Sequence, residues 1–253
     1  MTVHQKLLNF AKGTAYPFIL NLPFYAKYSI NISILIVGST ATGQCNDNSD
    51  VDICLLCEEH IFNDISTGTN WINGSPTEII MNDIQLHYYA ISYEAIEKKL
   101  AEYDDVAFYV YGNAVALSDN SGLYNKIKGL IFNDETRTNR KNKAIDMLVR
   151  RNRALKQILQ RENDPILRIK VGLEIIELLL KTIALSDQIE FDTRKRFYIT
   201  ALDGDIGKNM ACKVDSLINF LSDVGNIENK DKSCLFTQTV DDCIESIQRE
   251  QGR

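Results

Sequence analysis

Two aspartates separated by a single residue, Asp50 and Asp52, are the residues whose types and spacing most directly indicate chemistry. Residues 51–57 have the apolar composition of a buried strand. Side chains two apart on a strand share one face, with Cα atoms roughly 6.5–7 Å apart. Carboxylates held this close repel each other and are costly to bury unless a cation neutralises them. Because Mg²⁺ prefers oxygen ligands of this kind, the pair predicts a magnesium site.

A glycine-serine turn precedes this pair and is suited to phosphate. The β-branched apolar run at 32–37 predicts a buried strand that ends at Gly38 and Ser39. Gly38 allows close backbone approach, and backbone N–H groups together with the Ser39 hydroxyl can donate to phosphate oxygens. The combination predicts a magnesium ion shared with substrate phosphates. The alternative is a plain strand–turn–strand unit with two surface aspartates, although aspartate is a poor strand former.

This stretch resembles the hallmark of the nucleotidyltransferase superfamily that includes DNA polymerase β and the aminoglycoside nucleotidyltransferases. The hallmark is an apolar residue, Gly-Ser, a spacer and then Asp-apolar-Asp-apolar. Residues 37–39, the spacer 40–49 and residues 50–53 match it in order. The resemblance implies a Mg²⁺-dependent enzyme that transfers a nucleoside monophosphate, most simply AMP from ATP, to an acceptor hydroxyl.

The same resemblance implies roles for individual residues. Asp50 and Asp52 would ligate the metal and act in catalysis. The residues that it places at the nucleotide are Gly38, Ser39, Thr40 and Ser49.

The third core strand of the family usually carries a third carboxylate, and here the sequence departs from the pattern. Residues 84–91 resemble that strand, but the best-matching position holds Gln85. Asp83 is our candidate for a third metal ligand, and Glu78, in a possible hairpin partner strand, is another. Asp83 is equally well explained as a turn residue. His87 shares the predicted face of Gln85 and is either a nucleotide contact or an ordinary structural histidine.

The sequence changes to a helical period after about residue 138, which indicates a second domain. A basic segment with an apolar stripe and a helix start at Asn163-Asp164-Pro165 predict two long helices, and a polar break is expected at 231–233. We expect an α/β (α+β) nucleotidyltransferase domain with a small mixed sheet over residues 1–135. An all-α helical bundle domain would then occupy residues 136–253.

Residues 178–202, with a Lys195-Arg196 pair after a short loop, resemble the helical second domain of kanamycin-type and related enzymes, in which a carboxylate can act as general base. Glu174 is the candidate for that role, with Glu177 as the alternative, and Lys195 is the candidate for a further nucleotide contact. Glu174 shares a helical face with Lys170 and Glu177, so a solvated, salt-bridged stripe is the alternative. The two-domain layout favours a hydroxylated small-molecule acceptor such as an antibiotic. A protein or RNA acceptor and a catalytically degenerate nucleotide-binding module are the alternatives.

Composition narrows the possible functions. The formal charge is −6 and the isoelectric point is near 5.2, whereas a general nucleic-acid coat protein would be basic. The basic segment 137–161 nevertheless suits a local anionic partner. The most apolar stretch, 173–185, carries charged residues near its middle and so argues against a membrane span. Because a core of this size needs no disulfides for its six cysteines, we expect a reduced, cytoplasmic protein.

Overall fold

A computed structural model describes residues 1–66, 77–161, 164–191, 197–222 and 229–251. The chain divides into two compact units, Met1–Asn133 and Asp134–Arg253. The first unit contains a mixed sheet with helices and the second is helical, which confirms the predicted fold class. The domain boundary between residues 135 and 136 stays a prediction. Among the described helices, none is both long and apolar enough to cross a bilayer.

The first unit is built on a five-stranded sheet in the order β3-β4-β2-β1-β5. Its strands are β1 Ser33–Val37, β2 Val51–Cys57, β3 Thr77–Met81, β4 Ile84–Ser92 and β5 Val115–Asp119. β2 and β4 pair in parallel, and the other neighbours pair antiparallel. Strands are therefore present in each of the segments predicted at 32–37, 51–57 and 84–91.

The hairpin between β3 and β4 turns through Asn82 and Asp83. Both residues have positive φ, 50° and 60°. Two-residue turns with positive φ at both positions match the right-handed twist of antiparallel strands, and asparagine and aspartate tolerate that conformation. The predicted pairing of the Glu78 segment with the next strand is confirmed by its antiparallel register.

Helices cover both faces of the sheet. Because side chains alternate along a strand, Ile53, Leu55 and Cys57 of β2 face one hydrophobic core, whereas Cys54 and Leu56 face another. The helices on the first side are α1 Val3–Phe10, α2 Tyr16–Leu20, α3 Pro23–Tyr28 and α5 Glu59–Ser66, and the short helix α4 Gly38–Thr42 follows β1. The helices on the second side are α6 Tyr93–Ala101, α7 Asp105–Gly112 and α8 Leu123–Ile131.

The second unit consists of helices around one core. They are α9 Asp134–Arg161, α10 Pro165–Ser186, α11 Phe197–Ala201, α12 Asp205–Ser222 and α13 Lys230–Gln251. The apolar stripe predicted on α9 is buried at Ile145, Leu148 and Leu155. The predicted start of α10 is also confirmed, because the Asp164 carboxylate accepts a hydrogen bond from the N–H of Ile166 at 2.9 Å.

The polar break expected at 231–233 is wrong. These residues form the first turn of α13. The side-chain carbonyl of Asn229 accepts hydrogen bonds from the N–H groups of Asp231 and Lys232, at 3.0 and 3.2 Å. Ser233 is buried. Polar residues are common both in loops and at capped helix starts, where their side chains bind backbone N–H groups that lack other partners. Composition alone therefore does not distinguish the two.

Candidate active site

Asp50, Asp52 and His87 form a cluster at the start of β2. Asp52 lies on β2, Asp50 immediately precedes the strand, and the parallel register with β4 places His87 opposite Asp52. Nδ1 of His87 lies 2.8 Å from Oδ2 of Asp50 and 3.5 Å from Oδ1 of Asp52. The side chains are 33%, 29% and 17% exposed for Asp50, Asp52 and His87. A bound ion would therefore be partly shielded and still reachable by a substrate.

Gly38 packs directly against this cluster. Its backbone has a φ of +68°, a left-handed conformation that favours glycine. A Cβ atom at this position would lie 2.4 Å from Oδ2 of Asp52. The turn after β1 and the carboxylate on β2 can approach each other only because residue 38 has no side chain.

Thr40 holds the chain that leads into the cluster. Its side chain is fully buried, and its hydroxyl donates a hydrogen bond to the backbone carbonyl of Asp50 at 3.0 Å. The Thr40 carbonyl in turn lies 3.1 Å from Nε2 of His4 on α1. The Thr40 hydroxyl thus positions Asp50, and a nucleotide contact from Thr40 stays a prediction.

The other predicted nucleotide ligands lie in the same turn and loop. Ser39 is half-buried and follows Gly38 directly. Ser49 is half-buried next to Asp50, and its hydroxyl accepts a hydrogen bond from the N–H of Asn46 at 2.8 Å. Ser49 thus shapes the loop that enters β2. Nucleotide contacts from Ser39 and Ser49 stay predictions.

Asp83, which we predicted as the third metal ligand, is not part of the cluster. It lies in the hairpin turn before β4, four residues before His87, which corresponds to roughly 13 Å along a strand. Gln85 is exposed, and its side-chain amide donates to Oε2 of Glu78 at 3.5 Å. The third member of the cluster is His87 instead.

Sequence reasoning named His87 as a possible nucleotide contact but missed its place beside the two aspartates, because the pairing register of β2 and β4 decides which residue faces Asp52. The sequence showed only that residues 85 and 87 share a face. The sequence did contain one signal for this role. His87 is a possible metal ligand on the same strand face as Gln85, two residues beyond the position at which the family pattern places its third carboxylate.

The two remaining predicted site residues lie elsewhere. Glu174 is on α10 in the second unit, where its carboxylate lies 3.5 Å from Nε of Arg151. The Arg151 and Glu174 side chains are 53% and 36% exposed, and an ion pair this exposed contributes only about 0–1 kcal/mol. The role of Glu174 as general base stays a prediction. Lys195 lies outside the described residues.

The donor atoms of the cluster fit a divalent cation. All three ligand atoms lie within 4.8 Å of one another. Two donors bound at right angles, each about 2.1 Å from an ion, are separated by roughly 3 Å, so the observed 2.8 and 3.5 Å require little rearrangement. Two carboxylates would also compensate the charge of such an ion.

Comparisons with known proteins agree with this geometry. Residues 24–129 match the model of the nucleotidyltransferase domain family. The crystal structure of a nucleotidyltransferase-like protein from Exiguobacterium sibiricum 255-15 is similar, with a TM-score of 0.56. The similarity covers 88% of this chain and 72% of that chain at 11% sequence identity, so it shows the fold alone. No curated protein sequence matches the chain.

The matched segment spans β1, β2 and β4, which carry or adjoin the cluster. Residues 24–129 are therefore similar to the nucleotidyltransferase domain of the DNA polymerase β-type superfamily. A domain of this family is a transferase domain whose substrate is a nucleotide.

Proposed function

We propose that the protein uses a divalent cation to transfer a nucleoside monophosphate to an acceptor hydroxyl. The group that we propose is AMP, with ATP as its donor. The observation that carries the proposal is the close packing of Gly38 on Asp52 within a domain similar to the nucleotidyltransferase family. This packing brings the turn that would hold the phosphates directly against the carboxylate pair.

The residues of the site have separate roles in binding the cation and the phosphates. Asp50 and Asp52 hold the cation, which neutralises charge on the phosphates when it is bound. Backbone N–H groups of the Gly38–Ser39 turn and the Ser39 hydroxyl orient the terminal phosphates. The acceptor oxygen then forms a bond to the α-phosphorus in line with the bond to the β-phosphate, which breaks and releases pyrophosphate. The catalytic contribution is mainly positioning and charge stabilisation.

Glu174 is our candidate for the base that takes the proton of the acceptor hydroxyl. A carboxylate within reach of the hydroxyl contributes about 10²–10⁴-fold in rate by general base catalysis. We therefore expect Glu174→Gln to lower the transfer rate at constant nucleotide affinity. Glu135→Gln, an exposed glutamate on α9, is the control and should leave the rate unchanged. Equal rates for both variants would exclude Glu174 from this role.

For the acceptor we propose a hydroxylated small molecule of the antibiotic kind, which rests on the predicted two-domain layout. An RNA acceptor is the second candidate, because five basic side chains on α9 are exposed. They are Lys143, Arg150, Arg151, Arg153 and Arg161. We also propose a cytoplasmic location, since all six cysteines are free, as expected in a reducing compartment.

A mass-spectrometric screen for nucleotide adducts tests the proposal. The protein is incubated with ATP and a divalent cation together with aminoglycosides, other sugars, proteins and tRNA. We expect one acceptor class to gain the mass of AMP with the wild-type chain and with Asp47→Asn, an exposed aspartate in the same loop that serves as control. Asp52→Asn should give no adduct. ATP binding without any adduct would favour the non-catalytic nucleotide-binding module.

A further inference from the structure

The cluster differs from an all-carboxylate magnesium site in one respect, the imidazole of His87. Its Nδ1 is the atom that faces both Asp50 and Asp52. Mg²⁺ requires near-ideal octahedral oxygen coordination, and it usually retains several water molecules. An imidazole nitrogen is a softer ligand, and it favours first-row transition ions. The donor set of two oxygens and one nitrogen is therefore not the one that Mg²⁺ prefers.

The second nitrogen of His87 is arranged as in a metal-bound histidine. Nε2 is buried and makes no hydrogen bond among the described residues, but it lies 3.7 Å from Oε1 of Glu78. The other oxygen of Glu78 accepts the hydrogen bond from Gln85. Histidines that bind metals usually donate the second N–H to a carboxylate, which fixes the tautomer and leaves the lone pair on the coordinating nitrogen. A small movement of Glu78 would complete this arrangement.

The adjacent strands explain why these groups meet. Glu78 on β3 is directly opposite His87 on β4, and His87 is directly opposite Asp52 on β2. A row of three paired positions across the sheet thus runs from Glu78 through His87 to Asp52. The register of three strands therefore places a supporting carboxylate, an imidazole and a metal-binding carboxylate in sequence.

We propose that His87 coordinates the cation directly through Nδ1 and that the site prefers a first-row transition ion such as Mn²⁺ to Mg²⁺. Glu78 acts as a positioning residue for His87. The inference rests on the proposed function for its place in the reaction, but binding of the ion can be tested without turnover.

The test is electron paramagnetic resonance of Mn²⁺ bound to the full chain without nucleotide. Loss of the free Mn²⁺ signal gives the affinity, titration with Mg²⁺ gives the preference, and pulsed spectra detect a directly bound ¹⁴N nucleus. We expect ¹⁴N modulation in the wild-type protein and a clear preference for Mn²⁺. In His87→Asp, which creates a third carboxylate, the ¹⁴N modulation should disappear and the preference should shift at least about tenfold towards Mg²⁺.

Two further variants keep the test decisive if His87→Asp does not fold. Glu78→Gln should lower the Mn²⁺ affinity about 10–100-fold while ¹⁴N modulation remains. His60→Asp is the matched control, because its side chain is 72% exposed and lies beyond the opposite end of β2. It should behave as the wild type.

Three results would overturn the inference: Mn²⁺ binding without ¹⁴N modulation, equal displacement by Mg²⁺ in the wild type and His87→Asp, or no Mn²⁺ binding. The last result would indicate that His87 itself neutralises the aspartates. AMP transfer without ¹⁴N modulation would refute this inference and leave the proposed function intact. ¹⁴N modulation without AMP transfer to any acceptor would support this inference and refute the proposed function.

Discussion

Replacing Gly38 with alanine perturbs the proposed site through a single methyl group. The change has two separable costs. The first is the left-handed backbone at φ +68°, which disfavours a residue with a Cβ by roughly 1–2 kcal/mol. The second is the contact with Asp52, where the new Cβ would lie 2.4 Å from Oδ2 although such contacts are essentially never shorter than 3.0 Å. The Asp52 carboxylate must therefore move.

The required displacement sets the expected effect on activity. A shift of roughly half an ångström or more is needed to relieve the contact, and a misplacement of about 1 Å in a reacting geometry can cost on the order of 100-fold in rate. We expect Gly38→Ala to lower pyrophosphate release about 10–100-fold and to weaken Mn²⁺ binding.

Gly122→Ala is the matched control, since Gly122 has nearly the same φ, +71°, but a Cβ there would meet no atom within 4 Å. Urea denaturation should show a similar loss of stability, about 1–2 kcal/mol, in Gly38→Ala and Gly122→Ala. Only Gly38→Ala should lose activity and metal affinity. If Gly38→Ala retains the rate of Gly122→Ala, the placement of Asp52 against this turn does not matter for the reaction and the reasoning is refuted.

Three further predictions concern stability and are checked by urea denaturation. Thr40→Val leaves the Asp50 carbonyl without its buried donor and should cost about 1–3 kcal/mol. Thr42→Val should cost less, because the Thr42 hydroxyl makes only long local hydrogen bonds, to carbonyls of its own helix at 3.3 Å and from the N–H of Gln44 at 3.5 Å. Asp164→Ala removes the cap of α10 and should cost about 1 kcal/mol; an unchanged midpoint would contradict that role. Burial raises the pKa of the Cys57 thiol to about 12, whereas an unfolded thiol ionises near 8.5. Between about pH 8.5 and 12 the unfolded chain loses the thiol proton, whereas the folded chain keeps it, so the free energy of unfolding should fall as pH rises. Cys57→Ala should reduce the slope of this fall by up to about 1.4 kcal/mol per pH unit.

The parts of the fold that the sequence predicted are those determined by local patterns. The strand at 51–57 is apolar on both faces because helices cover the sheet on both sides, and a short apolar run next to a turn indicates such a strand. The start of α6 is also local, because serine is a common helix cap and the Ser92 hydroxyl accepts a hydrogen bond from the N–H of Ala95 at 3.2 Å. In each case the residues that determine the structure are neighbours in sequence.

The features that were missed depend on contacts between distant segments. The start of α12 at Asp205 is one example, because the carboxylate of Asp187 accepts hydrogen bonds from the N–H groups of Ile206 and Gly207, at 3.0 and 2.9 Å. No local pattern reveals a cap that lies so far away in sequence. His87 belongs to the same class, since its place beside Asp52 follows from strand pairing.

The rate of pyrophosphate release, measured for the wild type, Asp52→Asn and Asp47→Asn with ATP and a divalent cation, tests the central claim most directly. The claim is that the carboxylate pair beside the glycine-serine turn holds the cation for nucleotidyl transfer. It predicts release that EDTA abolishes, equal rates for the wild type and Asp47→Asn, and a loss of about 100-fold or more in Asp52→Asn while the circular dichroism spectrum stays unchanged. Undiminished release by a folded Asp52→Asn protein would contradict it.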